Sequence, residues 1–375
     1  MERLLINARF RDRPMTGVDR VAQELLTALQ KLPEFQIRFS MQEVRPPKSL
    51  EASSGANQIR RFLWEQRALS KLSRRDLLFS PCNAGPVFSR NHIVFIHDAQ
   101  AFHAQDSYSL AFRTYYKRLL PLLGYGAKAV VVPSEFTKAQ LVQHKIAPGH
   151  NISVVPNGSD HILRIQPQPN TLQKFGLTDK KFFLAIGSLA PHKNLDMLAR
   201  ASHGRSDRDV PVVIAGGGDE RIFRKIGIKQ SRSLRLLGRV TDQELRALYA
   251  HATALLFPSK TEGFGLPAAE AMACGCPVVS TTAGAVPEVC GKATWSISPS
   301  DQQGWTTAME KLSCDVNLQS HFSKMGKDRA AQFTWRAAAE KLLPIMLNCS
   351  PVYGGKSGRG SIGKVLHRSD QCGAR

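Results

Sequence analysis

The feature that most constrains the fold is the alternation, along most of the chain, of short apolar β-rich runs with amphipathic helical runs. This alternation is typical of α/β proteins with parallel sheets, because a helix joins each strand to the next. In the first half we predict helices over 18–30 and 135–144, the second opened by Ser134, a suitable N-cap. The predicted strands of this half lie at 3–8, 92–97, 128–133 and 152–156.

The second half repeats this pattern after a polar, proline-bearing segment at 157–179, which we predict to be a hinge. Two α/β units that meet at a hinge would bind a ligand in the cleft between them, facing strand carboxyl ends and helix amino ends. The last ordered helices are predicted over 316–347. The other predicted elements of this half are strands at 181–187, 210–215, 234–237, 253–257 and 277–280, and helices at 194–203, 242–251 and 266–274.

Length and composition restrict the class of protein further. A chain of 375 residues is long enough for two domains. Its seven cysteines are odd in number and lack zinc-ligand spacing, so we expect reduced thiols in a cytoplasmic protein. No stretch approaches the roughly 20 apolar residues that span a bilayer. The N-terminal MERLLINARFRDRP predicts a first strand, because a signal peptide needs a longer apolar region.

The net charge of +21 points to an anionic partner. Segments 58–75 and 112–120 intersperse arginine and lysine with large apolar residues, a pattern that fits helices lying on an anionic membrane surface. Ordinary surface helices with an inward apolar stripe fit it equally well. A nucleic-acid-binding protein is the alternative from charge alone, but no helix-turn-helix, RNP or zinc-finger pattern is present, so we expect no nucleic acid.

The most specific segment is KTEGFGLPAAEAMACGCPVV, residues 260–279. Glu262 follows a predicted strand, Gly263, Phe264 and Gly265 come next, and Leu266 opens a helix that contains Glu270. Free backbone N–H groups at such a helix start form an anion site suited to a diphosphate. Carboxylates just before it and one turn inside it can bind sugar and ribose hydroxyls.

This segment resembles the Glu-x7-Glu motif of glycosyltransferase family 4 (group 1), and the resemblance extends over most of residues 1–345. The supporting segments include TGVDRVAQELLTAL, VFIHD, VVPNGSD, GSLAPHKN and VVIAGGG. The resemblance implies an α/β fold of the GT-B type, with two Rossmann-like domains facing across a cleft and a C-terminal helix crossing back to the first. We therefore expect an acceptor-binding domain over 1–165, a nucleotide-sugar-binding domain over 166–334, the crossing helix at 335–348 and a disordered basic glycine-rich tail over 349–375.

The same resemblance implies roles for individual residues. Lys193 would bind the donor diphosphate, Glu262 the hydroxyls of the donor sugar and Glu270 the ribose, while His97, next to Asp98, would hydrogen-bond the donor sugar. His192 and Ser188 stand where family members commonly carry an arginine. The catalytic set is thus His97, Glu262 and Lys193, and the donor-binding set is Gly17, Ser188, His192, Lys193, Gly238, Arg239, Val240, Glu262, Gly263, Phe264, Gly265, Leu266 and Glu270.

The activity implied is retaining transfer of a hexose, first of all mannose from GDP-mannose, in the manner of bacterial mannosyl- or rhamnosyl-type transferases of polysaccharide assembly. The expected acceptor is a saccharide or a polyprenyl-diphosphate-linked saccharide, and the expected location is the cytoplasmic face of the inner membrane. We expect no metal and no cofactor, since Asp207-Arg208-Asp209 precedes a strand and is predicted to form a surface turn. Sugar-nucleotide hydrolysis or epimerisation on the same fold is the remaining alternative.

Overall fold

The protein folds around two parallel sheets. In a computed structural model, the described residues are 1–47, 55–205, 210–216 and 230–352, with the side chains of 55–58 and 105 left out. Within these ranges each sheet has six strands, all paired in parallel. The first sheet is built from residues 2–154 and the second from residues 183–297, in agreement with the predicted pair of α/β units.

The first sheet has the strand order β2-β1-β3-β4-β5-β6. The strands run parallel, but the direction in which successive strands are added to the sheet reverses between β1 and β3. The loops that follow these two strands therefore open a crevice at the carboxyl edge of the sheet. The sequence predictions missed β2 and β3. The strands are β1 (Glu2–Asn7), β2 (Phe39–Val44), β3 (Leu77–Ser80), β4 (His92–Phe95), β5 (Ala129–Val132) and β6 (Ile152–Val154).

The second sheet has the order β12-β11-β10-β7-β8-β9, the doubly wound arrangement in which the two halves spread from a central pair. That central pair is β7 and β10, so the loops after these strands flank the switch point where ligands bind in such sheets. The edge strand β12 was also missed by the sequence predictions. The strands are β7 (Phe183–Ile186), β8 (Val212–Ala215), β9 (Leu234–Gly238), β10 (Ala254–Phe257), β11 (Val278–Thr281) and β12 (Trp295–Ile297).

Helices connect the strands and cover both sheets. Helix α1 (Gly17–Gln30) opens with a capping box, in which the Thr16 side chain accepts from the Asp19 N–H and the Asp19 carboxylate accepts from the Thr16 N–H. The helix predictions that agree with the structure include α10, whose bounds match the predicted 242–251. Over the first unit the further helices are α2 (Pro33–Arg38), α3 (Gly55–Trp64), α4 (Ser70–Leu72), α5 (Gln100–His103), α6 (Leu110–Gly126) and α7 (Glu135–Gln143).

In the second unit the structure adds three helices that were not predicted. They are Thr171–Lys174, which lies inside the predicted hinge, Val286–Cys290 and Gln302–Cys314. A π-helical turn at Glu65–Leu69 joins α3 to α4 in the first unit. In the described part of the chain, no helix has both the length and the apolar character needed to cross a membrane. The helices of this half are α8 (Thr171–Lys174), α9 (Leu195–His203), α10 (Asp242–His251), α11 (Leu266–Ala273), α12 (Val286–Cys290), α13 (Gln302–Cys314), α14 (Val316–Ala330) and α15 (Trp335–Cys349).

The last helix, α15, returns to the first unit as predicted. Trp335, Leu342 and Met346 are buried in the same core as Leu25 and Leu29 of α1. The helix also extends beyond the predicted start of the tail, because Cys349 is its last residue and the buried Ser350 hydroxyl donates to Glu2. The rest of the predicted tail, from 353 onward, lies outside the described residues, as does Asp207-Arg208-Asp209.

Candidate active site

The carboxyl edges of the two sheets meet at the loop between β10 and α11. The carbonyl of Gly263 in this loop accepts hydrogen bonds from Ser134 Oγ at 2.7 Å and Thr137 Oγ1 at 3.1 Å, which stand at the start of α7. Gly263 also lies against His97, which is located just beyond the end of β4. A Cβ at Gly263 would lie 1.9 Å from the His97 carbonyl oxygen. Only glycine permits this approach. The contacts place the predicted loop in the interdomain cleft.

The same loop ends in the helix that the sequence predicted to hold an anion. Gly265 is the N-cap of α11, and Leu266 and Pro267 form its first turn, where a missing proline N–H costs little. Phe264 is buried and meets Phe333 edge-on at 5.6 Å, which fixes the loop against the connection to α15. The helix start therefore lies at the cleft and its amino end faces the switch point of the second sheet.

Glu262 and Lys193 form an ion pair in the cleft. Lys193 Nζ donates to Glu262 Oε1 at 2.6 Å, and the carboxylate is 8% exposed. Lys193 follows β7 and Glu262 follows β10, the two central strands of the second sheet. Asn194 fixes the lysine loop, since its amide donates to the carbonyls of Pro258 and Pro299. The structure thus brings together two residues that the sequence assigned to the diphosphate and the sugar.

Glu270 is buried one turn inside α11, and both of its carboxylate oxygens are hydrogen-bonded. The Tyr249 hydroxyl donates to Oε2 at 2.9 Å, and His161 Nε2 lies 3.0 Å from Oε1. Burial and the Glu270 charge raise the pKa of Tyr249 well above its ordinary value, so the phenol remains a donor. Each carboxylate oxygen has a second lone pair, so Glu270 can still accept from a ligand hydroxyl.

His97 is a neutral, fixed side chain at the end of β4. Its Nε2–H donates to the Pro81 carbonyl at 2.7 Å, and since a carbonyl only accepts, the proton lies on Nε2. The ring stacks on Phe95 at 4.5 Å, and burial lowers the pKa of His97 to about 4. His97 is therefore suited to hydrogen bonding and unsuited to donating a proton at neutral pH.

Asp98 adds a third carboxylate near Glu262. Burial raises the pKa of Asp98, the Glu262 charge raises it further, and Lys193 opposes the shift. The Gln100 N–H donates to Asp98 Oδ1 at 3.0 Å, which orients the carboxylate. Asp98, Glu262 and Lys193 thus form one electrostatically coupled group between the two sheets.

A row of glycines forms the edge of the second sheet where a nucleotide would lie. Gly187 follows β7, Gly216 follows β8, and Gly238 is the last residue of β9. The Gly216 N–H donates to the Gly238 carbonyl at 2.7 Å, and a Cβ at Gly216, whose φ is +98°, would lie 2.9 Å from the Gly187 carbonyl oxygen. The exposed Ser188 and Arg239 and the half-buried Val240 border this flat surface.

Gly17, the remaining glycine of the predicted donor-binding set, lies in the first unit. It is the first residue of α1 and is exposed, with no atom within 4 Å of an added Cβ. Arg20, one turn later, forms an ion pair with Asp242 at the start of α10, just after the 238–240 loop. This ion pair joins the start of α1 to the second unit near the 238–240 loop.

Segment 99–108 also lines the cleft, and the sequence did not assign it. Gln100 Nε2 donates to the Thr261 carbonyl at 3.4 Å, His103 Nε2 lies 3.1 Å from Thr261 Oγ1, and Ser107 Oγ accepts from the His192 N–H at 3.1 Å. The only signal for it was its position directly after the strand that carries His97.

His192 itself is buried beside Tyr108, with the two rings stacked 6.0 Å apart. Burial, together with the neighbouring Lys193 charge, lowers the pKa of His192 to about 4. Its neutral ring cannot supply the second positive charge that an arginine would give a diphosphate. Lys193 is therefore the cation of the 187–194 loop.

Comparison with known proteins agrees with this geometry. Residues 15–162 match the profile described as Glycosyltransferase Family 4, and residues 180–315 match the profile described as Glycosyl transferases group 1. O-antigen chain mannosyltransferase RfbU of Salmonella typhimurium is 23% identical over 331 residues, which cover 82% of this chain and 90% of RfbU. O-antigen chain mannosyltransferase B of Escherichia coli is 25% identical over 355 residues, covering 86% and 93%.

Among solved structures, Anabaena Alr3699/HepE in complex with UDP and glucose superimposes with a TM-score of 0.70 at 16% identity, over 92% of this chain and 99% of that one. This likeness shows the two-sheet GT-B fold. The two profiles together cover most of both sheets, and the second includes Lys193, Glu262 and Glu270. The chain is a GT-B glycosyltransferase of family 4, group 1.

Proposed function

We propose that the enzyme transfers mannose from GDP-mannose, with retention of configuration, to a polyprenyl-diphosphate-linked saccharide in the assembly of a bacterial surface polysaccharide. The observation that carries the proposal is the convergence of Lys193, Glu262 and the start of α11 at the junction of the two sheets. The relatives named as O-antigen mannosyltransferases support the sugar, since they align over more than 80% of this chain.

In this proposal the nucleotide lies on the glycine row of the second sheet, with its ribose hydroxyls on Glu270. The diphosphate lies between Lys193 and the amino end of α11, where a cation and the helix dipole stabilise the charge that develops as the leaving group departs. Lys193 then supplies the positive charge, and the reaction proceeds without a metal or cofactor. Glu262, freed from Lys193, binds the hydroxyls of the mannosyl group.

The acceptor would approach from the first unit, between Gly17 and His97. Its hydroxyl attacks the anomeric carbon on the face from which the diphosphate leaves, and the departing phosphate oxygen takes the acceptor proton. His97 is neutral and its Nε2–H is occupied by the Pro81 carbonyl, so it serves as a hydrogen-bonding partner of the donor sugar and takes no covalent part. Closure of the units excludes water and limits hydrolysis of the donor.

The proposed location is the cytoplasmic face of the inner membrane, and the surface of α3 and α6 supports it. Phe62 of α3 meets Tyr115 of α6 edge-on at 6.0 Å, so the two helices share one face. Leu110, Leu122 and Tyr125 are more than half exposed there. Exposed cations on these helices and on the segment that follows α3 are Arg60 on α3, Lys117 and Arg118 on α6, Arg67 in the π-helical turn and Lys71 on α4. A face that combines apolar side chains with cations suits an anionic lipid surface.

The donor is tested by the melting temperature of the enzyme against a panel of nucleoside diphosphates and nucleotide sugars, because a ligand of the folded state raises it by mass action. We expect GDP and GDP-mannose to give the largest shifts. Incubation of GDP-mannose with and without a lipid-linked acceptor then separates transfer from hydrolysis or epimerisation, and the anomeric configuration of the product reports retention. Transfer from another nucleotide sugar in preference to GDP-mannose would overturn the assignment of the donor.

The membrane proposal is tested by sedimentation with vesicles that contain anionic phospholipid, at low and at high salt. We expect binding at low salt that weakens as salt rises and is reduced in the double variant Lys117→Glu, Arg118→Glu. The matched control replaces Lys292 and Lys311 of the second unit, which lie far along the chain from this face, with glutamate. It should bind the vesicles like the wild type. Equal binding of both double variants, or none by the wild type, would contradict the proposal.

A further inference from the structure

His161 connects the candidate ribose-binding carboxylate to the last helix. Its Nε2 lies 3.0 Å from Glu270 Oε1, and its Nδ1 accepts from the indole N–H of Trp335 at 3.0 Å. His161, Glu270 and Trp335 are all buried, with exposures of 3%, 7% and 1%. Buried hydrogen bonds of this kind hold side chains in one geometry, because a broken bond would leave a polar group without a partner.

The contact with Trp335 fixes the protonation of the imidazole. An indole N–H can only donate, so Nδ1 of His161 must offer a lone pair and carries no proton. The proton of the neutral ring is therefore on Nε2, from which it points at Glu270. The short contact between His161 and Glu270 is thus a hydrogen bond from a neutral ring to a carboxylate, in which the direction of the donor is set by Trp335.

His161 and Trp335 belong to the two chain segments that connect the units. His161 lies near the start of the polar segment 157–179, which leaves the first sheet, and Trp335 begins the helix that returns to it. They are joined directly, since the Trp335 N–H donates to Asp160 Oδ1 at 2.8 Å and the Ser159 N–H donates to the Phe333 carbonyl at 2.8 Å. A Cβ at Gly158 would lie 2.3 Å from the Trp335 nitrogen, so the two segments touch along their backbones.

We propose that His161 is a positioning residue for the nucleotide: its neutral Nε2–H, oriented by Trp335, aims the Glu270 carboxylate at the ribose from the junction of the two interdomain connections. This inference rests on the proposed role of Glu270 in donor binding. Tyr249 restrains the other oxygen of the same carboxylate, so the two donors together leave it one orientation. Loss of the His161 donor would let the carboxylate rotate and would weaken nucleotide binding before it affected the chemical step.

Two substitutions by amide side chains separate the two hydrogen bonds of the His161 ring, one to Glu270 and one from Trp335. The amide nitrogen of His161→Gln reaches about as far from the backbone as Nε2 and can still donate to Glu270, whereas the amide oxygen of His161→Asn reaches only as far as Nδ1 and can accept from Trp335 alone. We expect His161→Asn to raise the KM for the nucleotide sugar and the Kd for GDP about tenfold, because a lost hydrogen bond to a carboxylate has about this effect. His161→Gln should stay near the wild type in both constants, and kcat should change little in either variant.

If His161 had only a structural role, the variants His161→Gln and His161→Asn, which are equally polar and equally buried, would change stability and GDP binding together. Equal Kd values for GDP in the two variants, at equal melting temperatures, would therefore overturn the inference. A wild type that binds none of the nucleoside diphosphates would instead overturn the proposed function on which it rests. The two failures are distinguishable. Equal Kd values can be observed only if the wild type binds GDP, whereas the proposed function fails when the wild type binds no nucleoside diphosphate.

The tautomer has its own readout, which requires no nucleotide. Long-range ¹H–¹⁵N spectra of the histidine-labelled full chain, with the His161 signals assigned by their absence in His161→Gln, should show a protonated Nε2 and an unprotonated Nδ1 at neutral pH. In Trp335→Phe the donor to Nδ1 is gone, and we expect those signals to shift towards a mixture of tautomers. A protonated Nδ1 in the wild type would contradict the arrangement on which the inference depends.

Discussion

Lys193 Nζ lies 2.6 Å from Glu262 Oε1, so the cation assigned to the diphosphate neutralises the carboxylate assigned to the sugar. Both residues stand at the switch point of the second sheet, one after β7 and one after β10. A donor that enters this site would offer its own negative charge to the lysine and its hydroxyls to the carboxylate. The ion pair therefore holds both side chains in place before the donor arrives.

The first prediction concerns the two partners of this pair. Lys193→Ala should lower transfer on the order of 100-fold, because it removes the cation beside the developing phosphate charge. It should also lower the free energy of unfolding by about 2 kcal/mol, since Glu262 would remain buried without its partner. Steady-state kinetics and urea unfolding measure the two effects separately.

The double variant Lys193→Ala, Glu262→Gln separates stability from activity. Removing the buried charge should restore most of the lost stability, whereas transfer should remain low because both ligands of the donor are gone. The exposed Lys292→Ala serves as the matched control and should resemble the wild type. Recovery of transfer along with stability would show that Lys193 has only a structural role.

The second prediction concerns the closest approach of the two units. In Gly263→Ala the new methyl group would lie 1.9 Å from the His97 carbonyl oxygen, so the units would have to separate. We expect transfer to fall at least about tenfold while each sheet stays folded, because misplacement by about 1 Å in a closed site is already costly. Small-angle scattering should show a larger radius of gyration than in the wild type.

Gly149→Ala is the control for this substitution, because its added methyl group makes only an ordinary contact, 3.5 Å from Val142. It should leave both activity and dimensions unchanged. An active Gly263→Ala enzyme with wild-type dimensions would mean that the close contact at His97 is dispensable for transfer.

Much of this arrangement was predictable from the sequence, for identifiable reasons. Glu262, Gly263 and Glu270 lie close together on one short segment, where the residue types themselves specify a glycine loop followed by a helix. The helix over 242–251 was likewise predicted with its observed bounds, since Thr241 and Glu244 form a capping box at its start.

The rest depends on contacts between residues far apart in the sequence. The ion pair of Lys193 with Glu262 spans 69 positions, and the hydrogen bond of Trp335 to His161 spans 174, and neither leaves a local pattern. The strands β2 and β3 were missed because their pairing with β1, which helps to stabilise them, joins residues far apart in the sequence. The role of the 99–108 segment was missed for the same reason, as its partners His192 and Thr261 belong to the other unit.

The third prediction concerns stability at low pH. Burial lowers the pKa of His92 to about 3 and that of His97 to about 4, both from an ordinary value near 6.5. Below about pH 6.5 the unfolded chain takes up protons that the folded protein does not, so the stability present above that pH declines as the solution is acidified. The decline continues until the folded-state pKa values are reached and amounts to about 2 kcal/mol for His92 at pH 5.

His92→Leu isolates this contribution, because both ring nitrogens of His92 are buried without a hydrogen-bond partner in the described part of the chain. Urea unfolding at pH 7 and pH 5 should show a smaller loss of stability for this variant than for the wild type. The exposed His150→Gln is the control and should lose as much stability as the wild type. If His92→Leu and the wild type lost the same amount of stability between pH 7 and pH 5, His92 would have to accept a proton within the fold. Its apolar surroundings on β4, between β3 and β5, disfavour this charge.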